Sequence, residues 1–111
     1  MKIIDLKDLK AGETPGVDLK QVFELEVNGK SKFKMGTVVF PPGTRVPPEG
    51  TGVHEGDECS IVISGRIKTG SGGRENVVEA GQATLIPAGE EHWAENVGDA
   101  DCHIVWVLLE P

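Results

Sequence analysis

The chain has 111 residues and a formal net charge of −7 at pH 7, from 11 Lys and Arg against 18 Asp and Glu. That length holds one domain and leaves no room for a second core of ordinary size. Its 15 Gly and 7 Pro argue against long helices and for a turn-rich β-protein, and its 38% hydrophobic and 26% charged residues argue against disorder. No cluster of Lys and Arg offsets the acidic balance, which disfavours nucleic acid and anionic membrane surfaces as partners. The apolar runs Ile61–Ile63 and Ile104–Leu109 are too short to cross a bilayer. Met1 to Asp5 lack a signal-peptide pattern, so a cytoplasmic location is expected. Cys59 and Cys102 are too few for a disulfide scaffold and read as reduced, partly buried thiols. Tyr is absent, which removes one common general acid or base.

Residues 1–17 mix Lys, Asp, Gly and Pro with a few aliphatics and read as a surface lead-in or short edge strand. From Val17 the pattern turns to β. Phe23, Leu25 and Val27 alternate with Glu24 and Glu26, as on a half-buried strand. Asn28-Gly29 favours a tight hairpin turn. The return strand runs from about Ser31 to Phe40, with Phe33, Met35, Thr37 and Val39 on one face. Pro41-Pro42-Gly43 stops it, and residues 43–53 are loop-like. Strands are then expected at Ser60–Ile63, Arg66–Thr69, Val77–Glu79, Ala83–Ile86, His92–Asn96 and Cys102–Leu109. The corners between them carry Gly65, Gly70-Ser71-Gly72-Gly73, Gly81 and Pro87-Ala88-Gly89. Such spacing indicates a sandwich, jelly roll or small barrel. The Gly70–Gly73 run lacks the Lys-Ser/Thr and helix of a phosphate loop, so it reads as a hairpin tip.

All three histidines, His54, His92 and His103, lie in the second half. His54 and Glu58 on one straight strand would stand roughly 13 Å apart, too far to share an ion. Gly56 and the β-branched run after Glu58 argue against a helix. A tight turn at Glu55-Gly56-Asp57 would set the two side chains on opposed strands, about 4.5–5.5 Å apart at Cβ. If the strand that His92 starts lies nearby, two imidazoles and a carboxylate converge, as in facial Fe(II) sites. The blander reading is a set of satisfied structural histidines. Cys59 and Trp93 follow Glu58 and His92 immediately and should point away from such a site.

At these positions the chain resembles the cupin superfamily. The family's second motif, G-x5-P-x-G-x2-H-x3-N, is filled throughout by Gly81, Pro87, Gly89, His92 and Asn96. The rear half of its first motif is matched by His54, Glu58 and Gly65, and Pro41-Pro42-Gly43 is typical of its opening. The resemblance implies an all-β fold, a double-stranded β-helix or jelly-roll barrel in one domain. Residues 1–17 would form the lead-in and 18–110 the barrel. It also implies one divalent metal ion (Fe, Mn, Ni, Co or Zn) at the barrel mouth, held by His54, Glu58 and His92. The slot of the family's first histidine falls on Gly52, and counting forward from Gly43 lands on Glu49 instead. Three outcomes follow: a three-ligand site, a site with Glu49 as fourth ligand, or a pocket that has lost its metal.

Arg45 and Glu49 are candidates for holding substrate or metal, and His103 and Asn96 for supporting the ligands from behind. Two functions are carried forward. One is an oxygenase, isomerase or lyase acting on a small oxygen-bearing molecule. The other is a non-catalytic cupin, metal-free or not, that binds or senses a small molecule. The resemblance also implies a homodimer, with Met1–Val17 and the apolar last strand suited to adding to a partner's sheet.

Overall fold

A computed structural model describes residues 1–111 and contains no α-helix. One short 3-10 turn, Leu6–Asp8, interrupts the lead-in. Nine strands follow: β1 Asp18–Val27, β2 Ser31–Phe40, β3 Arg45–Val46, β4 Glu58–Ser64, β5 Arg66–Ser71, β6 Arg74–Glu79, β7 Ala83–Ile86, β8 His92–Glu95 and β9 Cys102–Glu110. They form a five-stranded sheet in the order β1-β2-β9-β4-β7 and a four-stranded sheet in the order β3-β8-β5-β6. Every pairing is antiparallel. This is the expected jelly-roll barrel. No helix is long and apolar enough to cross a membrane.

The turns form where the sequence puts conformationally permissive residues. Asn28 and Gly29 both take positive φ, 54° and 64°, as the two central residues of a type I′ hairpin turn must. Gly36 is needed for a different reason. It lies in mid-strand, and a Cβ there would run into the Lys20 carbonyl and the Trp106 ring. The indole takes the space that a side chain would fill.

Register arranges the inward side chains of the larger sheet in rows, because a strand alternates faces with period two. Phe40 and Cys102 share the innermost row, then Val38, Ile104 and Val62. Gly36, Trp106, Ser60 and Thr84 come next, then Lys34, Leu108, Glu58 and Ile86. The first two rows pack with Ile67 and Val78 as a closed base. Burial there pushes the Cys102 thiol pKa up. The later rows surround a cavity of about 460 Å³. Because the barrel is hollow at that end, only 12 of 111 residues are buried.

Phe33, Met35, Thr37 and Val39 share a face of β2 as expected; it is the outward one, and the barrel interior takes Lys34, Gly36, Val38 and Phe40. Two expectations need correction. The last strand, β9, lies between β2 and β4 with both backbone edges paired, so it cannot extend a partner's sheet. His54 and Glu58 do not face each other across a hairpin. Glu58 pairs with Ile86 and Leu108, while His54 lies in no strand.

Overpacking at Gly36 gives a stability test. Gly36→Ala is expected to cost about 1–3 kcal/mol in urea unfolding, with loss of near-ultraviolet signal from Trp106. An unchanged midpoint would show that the ring does not lie where the structure has it.

Candidate metal centre

Backbone hydrogen bonds bring the site together. Gly52 N donates to His92 O at 2.8 Å, and His92 N donates to Gly52 O at 2.9 Å. Two residues on, the His54 carbonyl accepts from Gly89 N at 2.8 Å. The Asp57 carboxylate accepts from Ala88 N, also at 2.8 Å. The loop before β4 is thus stitched to the Pro87-Ala88-Gly89 turn, and Gly89 makes that turn with φ 79°. Gly56 lets the same loop pass against β9, since a Cβ would overlap the Leu109 carbonyl. A loop folded back this way delivers His54 to Glu58 without a hairpin.

The result is a half-buried cluster of His54, Glu58 and His92 whose ligand atoms lie within 4.8 Å of one another. His54 Nε2 stands 3.7 Å and His92 Nε2 3.6 Å from the same oxygen, Glu58 Oε2. The two rings have centroids 4.9 Å apart and are tilted by 44°. His92 Nδ1 lies 3.0 Å from the Glu90 carbonyl. A carbonyl only accepts, so Nδ1 carries the proton, and in the neutral ring the Nε2 lone pair faces the cluster. Metal-binding histidines are commonly oriented in this way.

These residues fit a divalent ion. Metal–ligand bonds of about 2.1 Å set neighbouring ligand atoms roughly 3.0–3.4 Å apart, so the two histidine–Glu58 separations of 3.7 and 3.6 Å need only slight contraction, while the widest separation, within 4.8 Å, closes further on binding. A fourth protein ligand is missing from the wall. Gly52 lines the cavity beside His92, and a Cβ built there meets nothing within 4 Å. Of the two slots for a first ligand, Glu49 is exposed and does not line the cavity.

The other sequence candidates sit elsewhere. Arg45 donates to the Pro47 carbonyl at 2.6 Å and the Gly50 carbonyl at 2.9 Å, and lies 4.7 Å over the Trp93 ring. It clamps its own loop and does not line the cavity. His103 is exposed on the outward face of β9, because Cys102 and Ile104 beside it point inward. It cannot support the ligands. Asn96 is fully buried, but its hydrogen bonds go to backbone. Its Nδ2 donates to Phe40 O and Ala100 O, both at 2.8 Å, and its Oδ1 accepts from Gly98 N at 2.9 Å. It closes the loop between β8 and β9 at the barrel base. Cys59 is exposed.

One cavity residue escaped sequence reasoning. Lys34 lines the cavity on the same row as Glu58. The signal was its even-numbered spacing from Gly36, Val38 and Phe40, hidden by the more apolar opposite face.

The family model of the cupin domain matches residues 36–108. The chain belongs to the cupin family. No curated protein matches it. Among solved structures, an RmlC-like cupin from Shewanella frigidimarina superposes with a TM-score of 0.76 at 15% identity, covering 100% of this chain and 92% of that one. A predicted oxalate decarboxylase from Thermotoga maritima gives 0.75 at 20% identity, covering 99% and 100%. KdgF from Halomonas sp. gives 0.74 at 19% identity, covering 95% and 89%. At these identities the likeness is one of fold.

The role of Asn96 in this cupin is testable. Asn96→Ala is expected to cost about 3 kcal/mol in urea unfolding, because it orphans buried backbone groups. Metal affinity of the folded fraction should stay within about twofold, well short of the 10–100-fold loss that follows removal of a ligand-supporting group. A larger loss of affinity would return Asn96 to the site.

Proposed function

We propose that this cupin binds one divalent metal ion through His54, Glu58 and His92 and acts as an enzyme on a small oxygen-bearing molecule in the barrel. The observation that carries the reading is the cluster itself: three ligand atoms within 4.8 Å on the wall of a cavity large enough for a ligand. When bound, the ion supplies Lewis-acid polarisation of a ligand oxygen. The chain supplies the rest. Glu90 O holds the His92 ring in its tautomer, the Gly52–His92 bonds fix the approach, and the apolar walls exclude water. A second reading, a non-catalytic binding cupin, is favoured by Gly52, which leaves the site one ligand short.

Metal analysis of protein purified without chelator is expected to give about one equivalent, and His92→Ala should lose at least tenfold in affinity. Gly52→His, placed where nothing obstructs a Cβ, should tighten binding by about the same factor. Absence of affinity for any of the five candidate metals would sink the metal-dependent reading and leave the second.

We also infer a homodimer, formed through the outward face of the five-stranded sheet. One row there runs Phe23, Met35, Val107, Cys59 and Leu85 across all five strands. Beside it lie Thr37, Val105, Ile61 and Ala83 on one side and Leu25, Phe33 and Leu109 on the other. Lys20, opposite Thr37 on β1, is the one charged residue that ends these rows, and Leu85 is 63% and Leu25 59% exposed. At strand spacings of about 4.8 Å the face spans roughly 20 Å each way. That patch of about 400 Å² is half of the ~800 Å² a partner contributes to a standard interface, and the outward residues around it would supply the rest. A flat apolar face fits a second copy of itself about a two-fold axis. Sedimentation at micromolar concentration should show a dimer, and Leu85→Lys with Ile61→Lys a monomer. A monomeric parent protein would overturn the inference.

A further inference from the structure

The cavity's charge is unusually sparse for so acidic a chain. Of 11 Lys and Arg and 18 Asp and Glu, the lining holds one of each sign, Lys34 and Glu58. Both belong to one inward row, with Leu108 between them. Two strand spacings put their Cα atoms roughly 10 Å apart, and both side chains extend into the same space. Between them the wall is Leu108, with Trp106 one row deeper.

Lys34 is not a spent charge. Its ammonium has three donors, and its one ion pair is with Glu110, at 3.1 Å. Glu110 lies one row outward, at the mouth. The Lys34 side chain is 23% exposed, so its stem is largely packed into the wall while its head remains reachable.

We propose that Lys34 is a specificity-determining residue that binds the carboxylate of the cavity's ligand. The ligand is then a small monocarboxylic acid with an apolar body and a second oxygen-bearing end. Its carboxylate takes the free donors of Lys34, and its body lies over Leu108 and Trp106. Its other end reaches His54, Glu58 and His92. This rests on the metal-site reading for that far end only. The lining holds no second cationic side chain, so the far end meets only the ion and its three ligands. A neutral or cationic ligand would leave Lys34 held by Glu110 alone.

The test compares adipic acid monohydroxamate with hexanohydroxamic acid on the zinc-loaded full chain by calorimetry. Both carry the metal-binding hydroxamate and only the first carries a carboxylate. The monohydroxamate is expected to bind about tenfold more tightly. That advantage should vanish in Lys34→Met and persist in Lys34→Arg. It should grow in Glu110→Gln, which removes the competing carboxylate, a response that a merely structural lysine would not produce. Equal binding of the two probes by the parent protein overturns the proposal while leaving the metal site intact. If the chain takes up none of the five candidate metals, the metal-site reading fails instead. Hexanoate and hexan-1-ol on the metal-free chain, followed by NMR shifts, then decide the same point. Preference for hexanoate that Lys34→Met abolishes supports the role of Lys34, and no preference overturns it.

Discussion

The candidate site depends on two backbone hydrogen bonds, Gly52 N to His92 O and His92 N to Gly52 O. They join a loop with no strand of its own to the first residue of β8. The approach of His54 is downstream of that join. His54 is held two residues further along, where its carbonyl meets Gly89 N. Glu58 is fixed separately, at the start of β4 between β7 and β9. Two histidines from a stitched loop and a strand end therefore meet a carboxylate from the other sheet. Side chains alone would not hold such an arrangement, because each would lose rotamer freedom with little packing in return. Paired backbone sets the positions first.

The same strand alternation that builds the cavity also creates the outward face. Each strand of the larger sheet gives half its side chains to the interior and half to the outside. The interior half closes only one end of the barrel, and the cavity takes the other. The packed core is correspondingly small, eight hydrophobic residues. A domain of this length buries a modest share of its surface in any case. A hollow barrel buries less, and in the proposed dimer the apolar outward rows would gain stability by covering one another across two copies.

That double use explains what was legible in the sequence. Turn chemistry was plain at Asn28-Gly29 and Pro87-Ala88-Gly89, and the Ala83–Ile86 strand has the same limits in the structure. The second motif places His92 and Asn96 by residue type alone. Inward and outward faces were not legible in β2, because periodicity separates faces only when one of them is polar. Here Phe33, Met35 and Val39 outside are more apolar than Lys34 and Gly36 inside. The approach of His54 was hidden for another reason. Its position comes from backbone pairing with Gly52 and Gly89, which no side-chain spacing records. His103, by contrast, was within reach of simple counting, since Cys102 and Ile104 on either side of it are core and the residue between must face out.

Gly52 acquires a different meaning once the cavity is considered with it. A ligand slot left empty by substitution is often read as decay of a site. Here the position is open space beside His92, and more than half of the residues that line the cavity behind it are hydrophobic. In the proposed site a divalent ion with one carboxylate and two neutral imidazoles keeps one net positive charge. The Lys34–Glu110 pair adds none. The mouth then carries a single uncompensated charge next to a dry wall, a setting in which one anionic group is favoured and a second is costly to desolvate. A missing histidine enlarges the room at the ion for the ligand's other, oxygen-bearing end. Charge and space therefore point the same way, to a small, mostly apolar ligand with a single acid function.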